Sequence, residues 1–417
     1  MFNLKKFFIL GVSAGLNRAG MFLLMPLLAA FLSVRDFGEV SLYLTISTIM
    51  VSILSFNISS IVAREVYDDL VGVVAYLKPF NIILLFAFLP ICILFSFIYD
   101  KTLSYYFIFI ISEALFLVNS TYIRYRLGDA YFFYITLAKF ISISILMVIY
   151  FTVVNYNDLM FRVEWFFIIL SVSNIPIIGA SVRFSLVDFK GRLYNELSLK
   201  IKYLLFAITL FPHVLALWIS SGLDRYFIKW YYDAEVLGTY SFSYSLASLF
   251  LIVNAALSLA LPQFAVKDFI LYKSDSFYKK FILLITAIYL SFLIFLKIIT
   301  PFFSKFDNEK VFVLAAIIAS GFYLLVFYTY FSSILFYRRK TKLISVFTVV
   351  IAIMTILLLY PFSCLWGIRG TAIVTYVCYA VYAALVCYSV RELDYGGISR
   401  LYIPLILSVA IVFIVII

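Results

Sequence analysis

Four ionisable side chains lie inside long apolar stretches of the sequence: Arg18, Glu113, Lys139 and His213. Placing a charge at the centre of a bilayer costs about 2.5–3.5 kcal/mol, so such a side chain normally faces a partner or a water-filled cavity. A guanidinium stays charged and suits a phosphate or an acidic sugar. A carboxylate in low dielectric can carry a proton or bind a cation, and histidine titrates near neutral pH. These types indicate a polar site for an anion and a coupling ion.

Each of these side chains also has a structural interpretation. Arg18 could form an ion pair with Glu113 or another buried carboxylate, and Glu113 could be the internal partner of Arg18 or Lys139. Lys139 lies about two helical turns into its apolar stretch and could reach back to the lipid headgroups. His213 follows Pro212, and a lone intramembrane histidine is more often a packing or hydrogen-bonding residue.

Helical spacing groups further polar residues with two of these. Ser120 and Arg124 follow Glu113 on one helical face, and Asp224 follows His213 on another. Asp224 and Arg225 lie at the end of their apolar stretch, where a local ion pair that orients the loop is as good an interpretation as cargo contact. The sequence thus predicts candidate substrate-binding cations and candidate ion-coupling groups. The cations are Arg18, Lys139, Arg124 and Arg225, and the ion-coupling candidates are Glu113, Asp224 and His213.

The elements that carry these residues are typical of a chain in a lipid bilayer. The 417 residues are 65% hydrophobic and 13% charged, more apolar surface than a soluble protein can bury. A span needs roughly 20 apolar residues, because the hydrocarbon core is about 30 Å thick. The sequence predicts an all-α polytopic membrane protein with twelve spans and a thirteenth at the C-terminus. The spans are at 7–32, 40–62, 79–99, 103–123, 131–154, 164–184, 201–221, 237–262, 277–300, 311–336, 343–365, 369–390 and 399–417.

The distribution of Lys and Arg predicts the orientation. With a cytoplasmic N-terminus, the inner segments hold roughly twice as many Lys and Arg as the outer ones, as the positive-inside rule requires. The net charge of +11 is then a topology signal, from inner loops lying against anionic lipid headgroups. We expect membrane lipids as partners and no nucleic acid, because no soluble basic domain is present.

The sequence also indicates an internal duplication of a six-span repeat. The longest internal polar interval, about 185–200, has six predicted spans on each side. Residues 35–41 (RDFGEVS) and 235–241 (EVLGTYS) lead into the second span of each half, and 122–126 (YIRYR) and 336–340 (FYRRK) end the fourth. An even number of spans per half predicts parallel repeats. We therefore expect two six-helix bundles, 1–190 and 191–395, and an additional hydrophobic segment, 396–417.

Several classes of chemistry lack the residues that they need. No loop is long enough for a soluble catalytic domain, and there is one His in the chain. There is no phosphate-binding glycine loop for ATP hydrolysis. The four cysteines lie in or beside the spans without metal-ligand spacing. The sequence therefore predicts no catalytic residues, no metal, no cofactor and no enzymatic activity.

Several motifs resemble the O-antigen and polysaccharide lipid flippases of the multidrug, oligosaccharidyl-lipid and polysaccharide exporter superfamily. Residues 222–228 (GLDRYFI), followed by 236–241 (VLGTYS), are similar to that family's Asp-Arg…Gly-x-Tyr-Ser pattern, and Pro262 matches its proline at the end of the eighth span. Phe37-Gly38 together with 61–65 (IVARE) resembles the family's signature around the second span. Residues 367–372 (GIRGTA) resemble the family's pattern at the start of the twelfth span. The resemblance covers about the first 390 residues, and the segment after 399 departs from it.

The resemblance implies two six-helix bundles that open alternately to each side of the bacterial inner membrane. The cargo would be an undecaprenyl-pyrophosphate-linked oligosaccharide for O-antigen and lipopolysaccharide biosynthesis, moved by antiport with a gradient of H⁺ or Na⁺. A polysaccharide polymerase and a chain-length regulator would be partners.

Two other functions stay open. An ion-coupled multidrug exporter of the same superfamily would need a cavity rich in carboxylates for cationic cargo. A membrane polymerase of lipid-linked sugars would need a large outer loop, and the predicted outer loops are short.

Overall fold

The structure is a computed structural model that describes residues 24–26, 28–65, 70–88, 90, 94, 101–156, 162–187, 197–267, 276–391 and 401–416. These residues form helices and contain no strand. Helical residues 24–26 and 28–31 precede the first complete helix. The helices are α1 (Val34–Leu54), α2 (Ile58–Glu65), α3 (Leu70–Ile83), α4 (Lys101–Leu127), α5 (Asp129–Tyr156), α6 (Val163–Val187), α7 (Leu197–Tyr231), α8 (Ala234–Ser248), α9 (Phe250–Lys267), α10 (Ser276–Ile299), α11 (Asn308–Tyr337), α12 (Thr341–Arg391) and α13 (Tyr402–Ile416).

Long apolar helices make the chain a multi-pass membrane protein. Six of the described helices, namely α1, α4, α5, α10, α11 and α12, are long and apolar enough to cross a bilayer. Helices α8 and α9 add a seventh span if the pair, bent by 40°, crosses as one. The predicted all-α polytopic architecture is confirmed, and the number of spans stays a prediction. Helix α13 is apolar but only 15 residues long, so its crossing also stays a prediction.

The predicted second span is interrupted in the structure. Phe56 and Asn57 both adopt left-handed backbone angles, with φ of 44° and 53°, and they separate α1 from α2. Asparagine tolerates this conformation better than most residues. Its side chain also accepts a hydrogen bond from the Ser60 hydroxyl at 3.0 Å. The apolar run from 40 to 62 gave no sign of this break, because hydropathy does not report backbone conformation.

By their internal contacts the residues divide into two compact units. The first unit is Tyr43–Val214, and the second unit is Met1–Leu42 with Leu215–Ile417. Helices α1 and α7 therefore each contribute to both. The predicted division into bundles at residue 190 concerns the sequence repeat and stays a prediction.

Helix α4 is the central helix of the first unit. Of its membrane-crossing window, 72% is buried, against α2, α5 and α6. Within this core, Asn81 of α3 and Asn119 of α4 form two reciprocal amide hydrogen bonds of 3.0 and 3.1 Å. Both residues are buried, and the Asn119 amide also donates to the Leu115 carbonyl of its own helix at 2.8 Å, so buried amide groups of both residues are satisfied within the core.

Helix α11 has the same central place in the second unit. Of its apolar membrane-crossing segment, 83% is buried, and the helix packs against α8, α9, α12 and α13. Helices α4 and α11 are the fourth and tenth predicted spans, so the most buried helix of each unit occupies the same place in its half. This agreement fits the duplication predicted from the sequence.

A close helix crossing in the second unit explains two of the predicted glycine motifs. At Gly38 of α1, an added Cβ would lie 2.7 Å from the Gly238 nitrogen, and at Gly238 of α8 it would lie 2.0 Å from the Val34 oxygen. The two backbones can approach this closely because neither glycine has a side chain. Phe37 packs beside the crossing, with its ring 5.8 Å from that of Phe242.

Two more glycines shape α12 into a helical hairpin. Gly367 has φ of 59° and ψ of −143°, which turns the chain between two helical segments. A Cβ at Gly370 would lie 1.9 Å from the Phe362 oxygen, so the second segment returns close against the first. Hydrogen bonds join Ser363 to Thr371 and Thr355 to Cys378 across the hairpin. The turn separates the predicted eleventh and twelfth spans, as the gap at 366–368 predicted.

Candidate functional site

A charged cluster lies inside the first unit. The ammonium group of Lys139 on α5 donates to Glu113 Oε1 on α4 at 2.5 Å. The same ammonium lies 3.8 Å from the centre of the Phe116 ring, one helical turn after Glu113. This is a cation–π contact. The structure thus brings together a predicted substrate-binding cation and a predicted ion-coupling carboxylate.

Helix α6 completes the cluster with an amide. Asn174 Nδ2 donates to the Ser112 hydroxyl at 3.2 Å and faces Glu113 Oε1 at 3.4 Å. Asn174 is fully buried, and its Oδ1 has no hydrogen-bond partner among the described residues. The Lys139 and Glu113 side chains remain 13% and 18% exposed. The pair is therefore within reach of an incoming ligand, while the amide behind it is sealed.

Arg124 lies apart from this cluster. It is 11 residues after Glu113 on α4, about 16 Å along the helix at about 1.5 Å per residue. Its Nε donates to Asp129 Oδ1 at 3.0 Å, across the turn at Gly128 between α4 and α5. Both side chains are about 30% exposed. The pair holds the turn, and the stripe predicted from Glu113 to Arg124 does not form one cluster.

A second buried pair lies in the second unit, at the predicted Asp-Arg motif. Asp224 Oδ1 accepts from the Arg225 backbone N–H at 2.8 Å, and Oδ2 accepts from the Tyr240 hydroxyl at 2.6 Å. The Arg225 guanidinium lies 3.9 Å from the centre of the Tyr244 ring. Asp224 and Arg225 are 4% and 7% exposed. The Gly-x-Tyr part of the motif thus holds the Asp-Arg part, with Tyr240 as the direct link.

Sequence reasoning missed a row of hydroxyl groups in the second unit. Thr371, Thr375, Tyr379 and Tyr382 recur every three or four residues along the second segment of α12, so they share one face. Each has a hydrogen-bond partner. In order, the partners are Ser363, Tyr240, Tyr244 and Thr348. The row ties α12 to α8 beside the Asp224 pair, and its helical spacing was the signal that could have revealed it.

Two further polar residues of α7, His213 and Ser220, are not joined to either cluster in the described part of the chain. His213 lies on α7, and its Nδ1 is buried with no hydrogen-bond partner in the described part of the chain. Ser220 donates to the Ala216 carbonyl of its own helix. Arg18 falls outside the described residues. The described residues contain no group of three or more His, Cys, Asp or Glu that could hold a metal ion.

Comparison with solved structures identifies the architecture. A mutant of the Vibrio cholerae MATE transporter VcmN has a TM-score of 0.60 at 12% identity, over 93% of this chain and 97% of that one. An inward-facing multidrug resistance MATE family transporter of the MOP superfamily has a TM-score of 0.62 at 12% identity, over 97% and 94%. The lipid II flippase MurJ, in an inward closed conformation, has a TM-score of 0.59 at 14% identity, over 98% and 92%.

The similarity to known proteins is found in the structure and not in the sequence. No protein-family model and no curated protein sequence matches the chain. At 12–14% identity the likeness concerns the fold, with its two repeated helical bundles. The chain therefore has the fold that MATE transporters and the lipid II flippase MurJ share.

Proposed function

We propose that the protein is a flippase that moves an undecaprenyl-pyrophosphate-linked oligosaccharide across the bacterial inner membrane by alternating access. The fold shared with a lipid II flippase supports a lipid-linked cargo, and the sequence motifs favour an O-antigen or related repeat unit. The N-terminus would be cytoplasmic. The sugar and pyrophosphate would cross through the protein while the lipid tail stays in the bilayer.

The observation that carries the proposal is that both candidate carboxylates, Glu113 and Asp224, already have partners within the protein. Glu113 is paired with the Lys139 ammonium, and Asp224 accepts from Tyr240 and the Arg225 backbone. Each carboxylate is thus neutralised or solvated within its own unit. An anionic headgroup has to displace only Glu113 from the partly exposed Lys139. A cationic drug has to displace Lys139 from Glu113, or the Tyr240 hydroxyl and the Arg225 N–H from the buried Asp224.

The cations have the chemistry that a pyrophosphate needs. Lys139 is partly exposed and can rotate its donors towards a phosphate as a compact charge. Arg18 and Arg124 are the further candidates on the first half of the chain, and Arg225 on the second. Transport would draw on the H⁺ or Na⁺ gradient or the membrane potential, with Glu113, Asp224 and His213 as the coupling candidates. A polymerase and a chain-length regulator would use the product.

The second candidate function is an ion-coupled multidrug exporter. The observation in its favour is that two of the similar structures are MATE transporters, with TM-scores of 0.60 and 0.62. It requires that a cationic drug displace Lys139 from Glu113 or reach Asp224. Removal of Lys139 would then strengthen drug export, whereas it would weaken lipid transfer by a flippase.

The test is leaflet transfer in proteoliposomes. Purified full-length protein is reconstituted with a fluorescent lipid-pyrophosphate-linked oligosaccharide, and the fraction accessible from outside is followed with time. Lys139→Gln and Arg18→Ala are compared with wild type and with the control variant Lys310→Gln. In the wild type the Lys310 ammonium pairs with Asp307 at the start of α11. We expect the first two variants to lose most of the transfer rate and the control to retain it.

The same vesicles separate the alternatives. Transfer of the lipid by neither wild type nor control, together with accumulation of a cationic dye, would refute the flippase and support the exporter. Lengthening of sugar chains without transfer would support the polymerase. A folded Lys139→Gln protein that transfers lipid at the wild-type rate would remove Lys139 from the pathway.

A further inference from the structure

We propose that Glu113 occupies Lys139 as an internal substitute for the cargo anion, and that the anion displaces Glu113, which then takes up a proton. The inference rests on the proposed function and names how its site is regulated. In the empty protein the ammonium and the carboxylate neutralise each other. In the loaded protein the ammonium binds the anion, and a neutral carboxylic acid stands beside it.

The contacts of Lys139 permit the exchange. Its ammonium is held by the carboxylate at 2.5 Å and by the Phe116 ring at 3.8 Å. The ring contact does not depend on Glu113, so it can keep the ammonium in place while its hydrogen-bond acceptor changes. Both partners of the ion pair are partly exposed, which gives an anion access. An anion that competes with a carboxylate must offer comparable charge, as a pyrophosphate does.

The surroundings of Glu113 contain a hydrogen-bond acceptor for a protonated carboxyl group. Once Lys139 binds the anion, an ionised Glu113 would stand beside that anion without its counter-ion, and uptake of a proton removes the like-charge repulsion. A protonated carboxyl is a donor and needs an acceptor. Asn174 has an unused buried acceptor, Oδ1, on an amide whose Nδ2 already faces Glu113. Rotation of this amide by half a turn presents Oδ1 to the new proton.

No other described charge faces Glu113. Of the elements packed against α4, helix α5 contributes Lys139 and α6 contributes the neutral Asn174. The described α2 side chains in this core are apolar: Ile58, Ile61 and Val62. The Arg124–Asp129 pair lies about three turns away along α4. Lys139 is therefore the described charge whose departure alters Glu113.

The exchange balances in charge and protons. The anion accepts hydrogen bonds from the Lys139 ammonium, which keeps its charge, and Glu113 takes one proton from water on the side to which the site is open. When the anion leaves, Lys139 returns and the proton is released on that side. The proton thus travels outward with the anion, so in this exchange Glu113 is not an antiport site and the H⁺ gradient does not drive the movement. The outward movement would then be driven by the inside-negative membrane potential acting on the remaining negative charge.

Proton counting tests the inference. Binding of farnesyl-pyrophosphoryl-N-acetylglucosamine, a short analogue of the proposed cargo, is measured by calorimetry near neutral pH in two buffers of different ionisation enthalpy. We expect wild type to take up as much as about one proton, with its Kd falling up to about tenfold per unit decrease in pH. Glu113→Gln should bind at least as tightly with no linked proton. Glu164→Gln, in the same unit, should behave as wild type.

The outcomes distinguish this inference from the function. Wild-type binding without proton uptake, or the same uptake in Glu113→Gln, would overturn the exchange even if vesicles show lipid transfer. Absence of lipid transfer by wild type would refute the flippase itself. The double variant Glu113→Gln with Lys139→Gln keeps a neutral hydrogen-bonded pair, so its loss of binding with retained folding would assign the affinity to the ammonium.

Discussion

The crossing of α1 and α8 at Gly38 and Gly238 predicts that Gly238→Ala destabilises the protein. The added methyl would lie 2.0 Å from the Val34 oxygen and 2.8 Å from its carbonyl carbon. Ordinary contact begins near 3.4 Å, so the two backbones must separate by about 1.4 Å. A side chain could rotate away, but a backbone carbonyl in a helix cannot.

The expected cost follows from two opposing terms. Overpacking a well-packed site costs about 1–3 kcal/mol. Replacing a helical glycine by alanine gains up to about 1 kcal/mol where the space is open. Because the clash at Gly238 involves backbone, we take the upper end of the overpacking cost, about 3 kcal/mol, and expect a net loss of about 2 kcal/mol after the helix-propensity gain. At Gly179 of α6 an added Cβ meets nothing within 4 Å, so Gly179→Ala should be neutral or stabilising.

A thiol-reactive dye gives the assay. Cys378 and Cys387 are buried on α12 and become reactive on unfolding. The exposed Cys364 and Cys92, which lies outside the described residues, are replaced by serine in all variants. Gly238→Ala should lower the apparent melting temperature of the purified protein by several degrees, and Gly179→Ala should not lower it. Equal melting temperatures for Gly238→Ala and wild type would refute the close crossing.

Three further substitutions test other contacts. Tyr240→Phe removes the hydroxyl that Asp224 accepts at 2.6 Å and should cost about 1.5–3 kcal/mol in thermal stability, because a buried carboxylate oxygen loses its donor. Gly370→Ala should open the α12 hairpin, since its Cβ would lie 1.9 Å from a carbonyl oxygen, at a cost of about 3 kcal/mol. At Asp307, the hydrogen bond from the Lys310 side chain lowers the carboxyl pKa below its usual value. Its stabilising contribution is therefore present above the unfolded pKa of about 3.9 and lost as pH falls through the lower folded pKa. Asp307→Ala should cost about 1 kcal/mol at neutral pH through loss of the helix cap and match wild type in strong acid.

Each of these has a matched control. Tyr402→Phe removes a hydroxyl from an exposed tyrosine on α13 and should leave the melting temperature unchanged. Gly179→Ala is again the control for Gly370→Ala. Asp307→Asn keeps a good capping side chain, so it should retain stability at neutral pH and lose the acid dependence. A melt of Asp307→Ala identical to wild type at neutral pH would show that the cap contributes nothing.

Much of the helical architecture follows from the sequence, because span length and hydropathy are local properties. The turn at Gly367 and the start of α8 lie where the apolar runs were predicted to be interrupted. Backbone conformation is different. The break at Phe56 and Asn57, and the bend between Ser248 and Leu249, lie inside continuous apolar runs that give no local sign of them.

The candidate site was predictable as a set of residue types but not as a set of contacts. Glu113, Lys139 and Asn174 come from three helices, and which faces of those helices meet depends on the packing of the whole unit. Sequence left open whether Lys139 reaches the headgroups or Glu113, and the structure places it on Glu113. Asn174 carried no signal at all, since a lone asparagine in an apolar run has no periodic partner.

The glycine crossing has a consequence for the origin of the chain. Gly38 and Gly238 occupy equivalent positions in the two repeats predicted from the sequence, so on that prediction the contact joins a residue to its own counterpart. A homodimer with two-fold symmetry makes contacts of this isologous kind. A single ancestral repeat could therefore have paired with a second copy of itself through this glycine, before gene fusion joined the two copies. In the present chain a methyl group on either glycine would part the two helices.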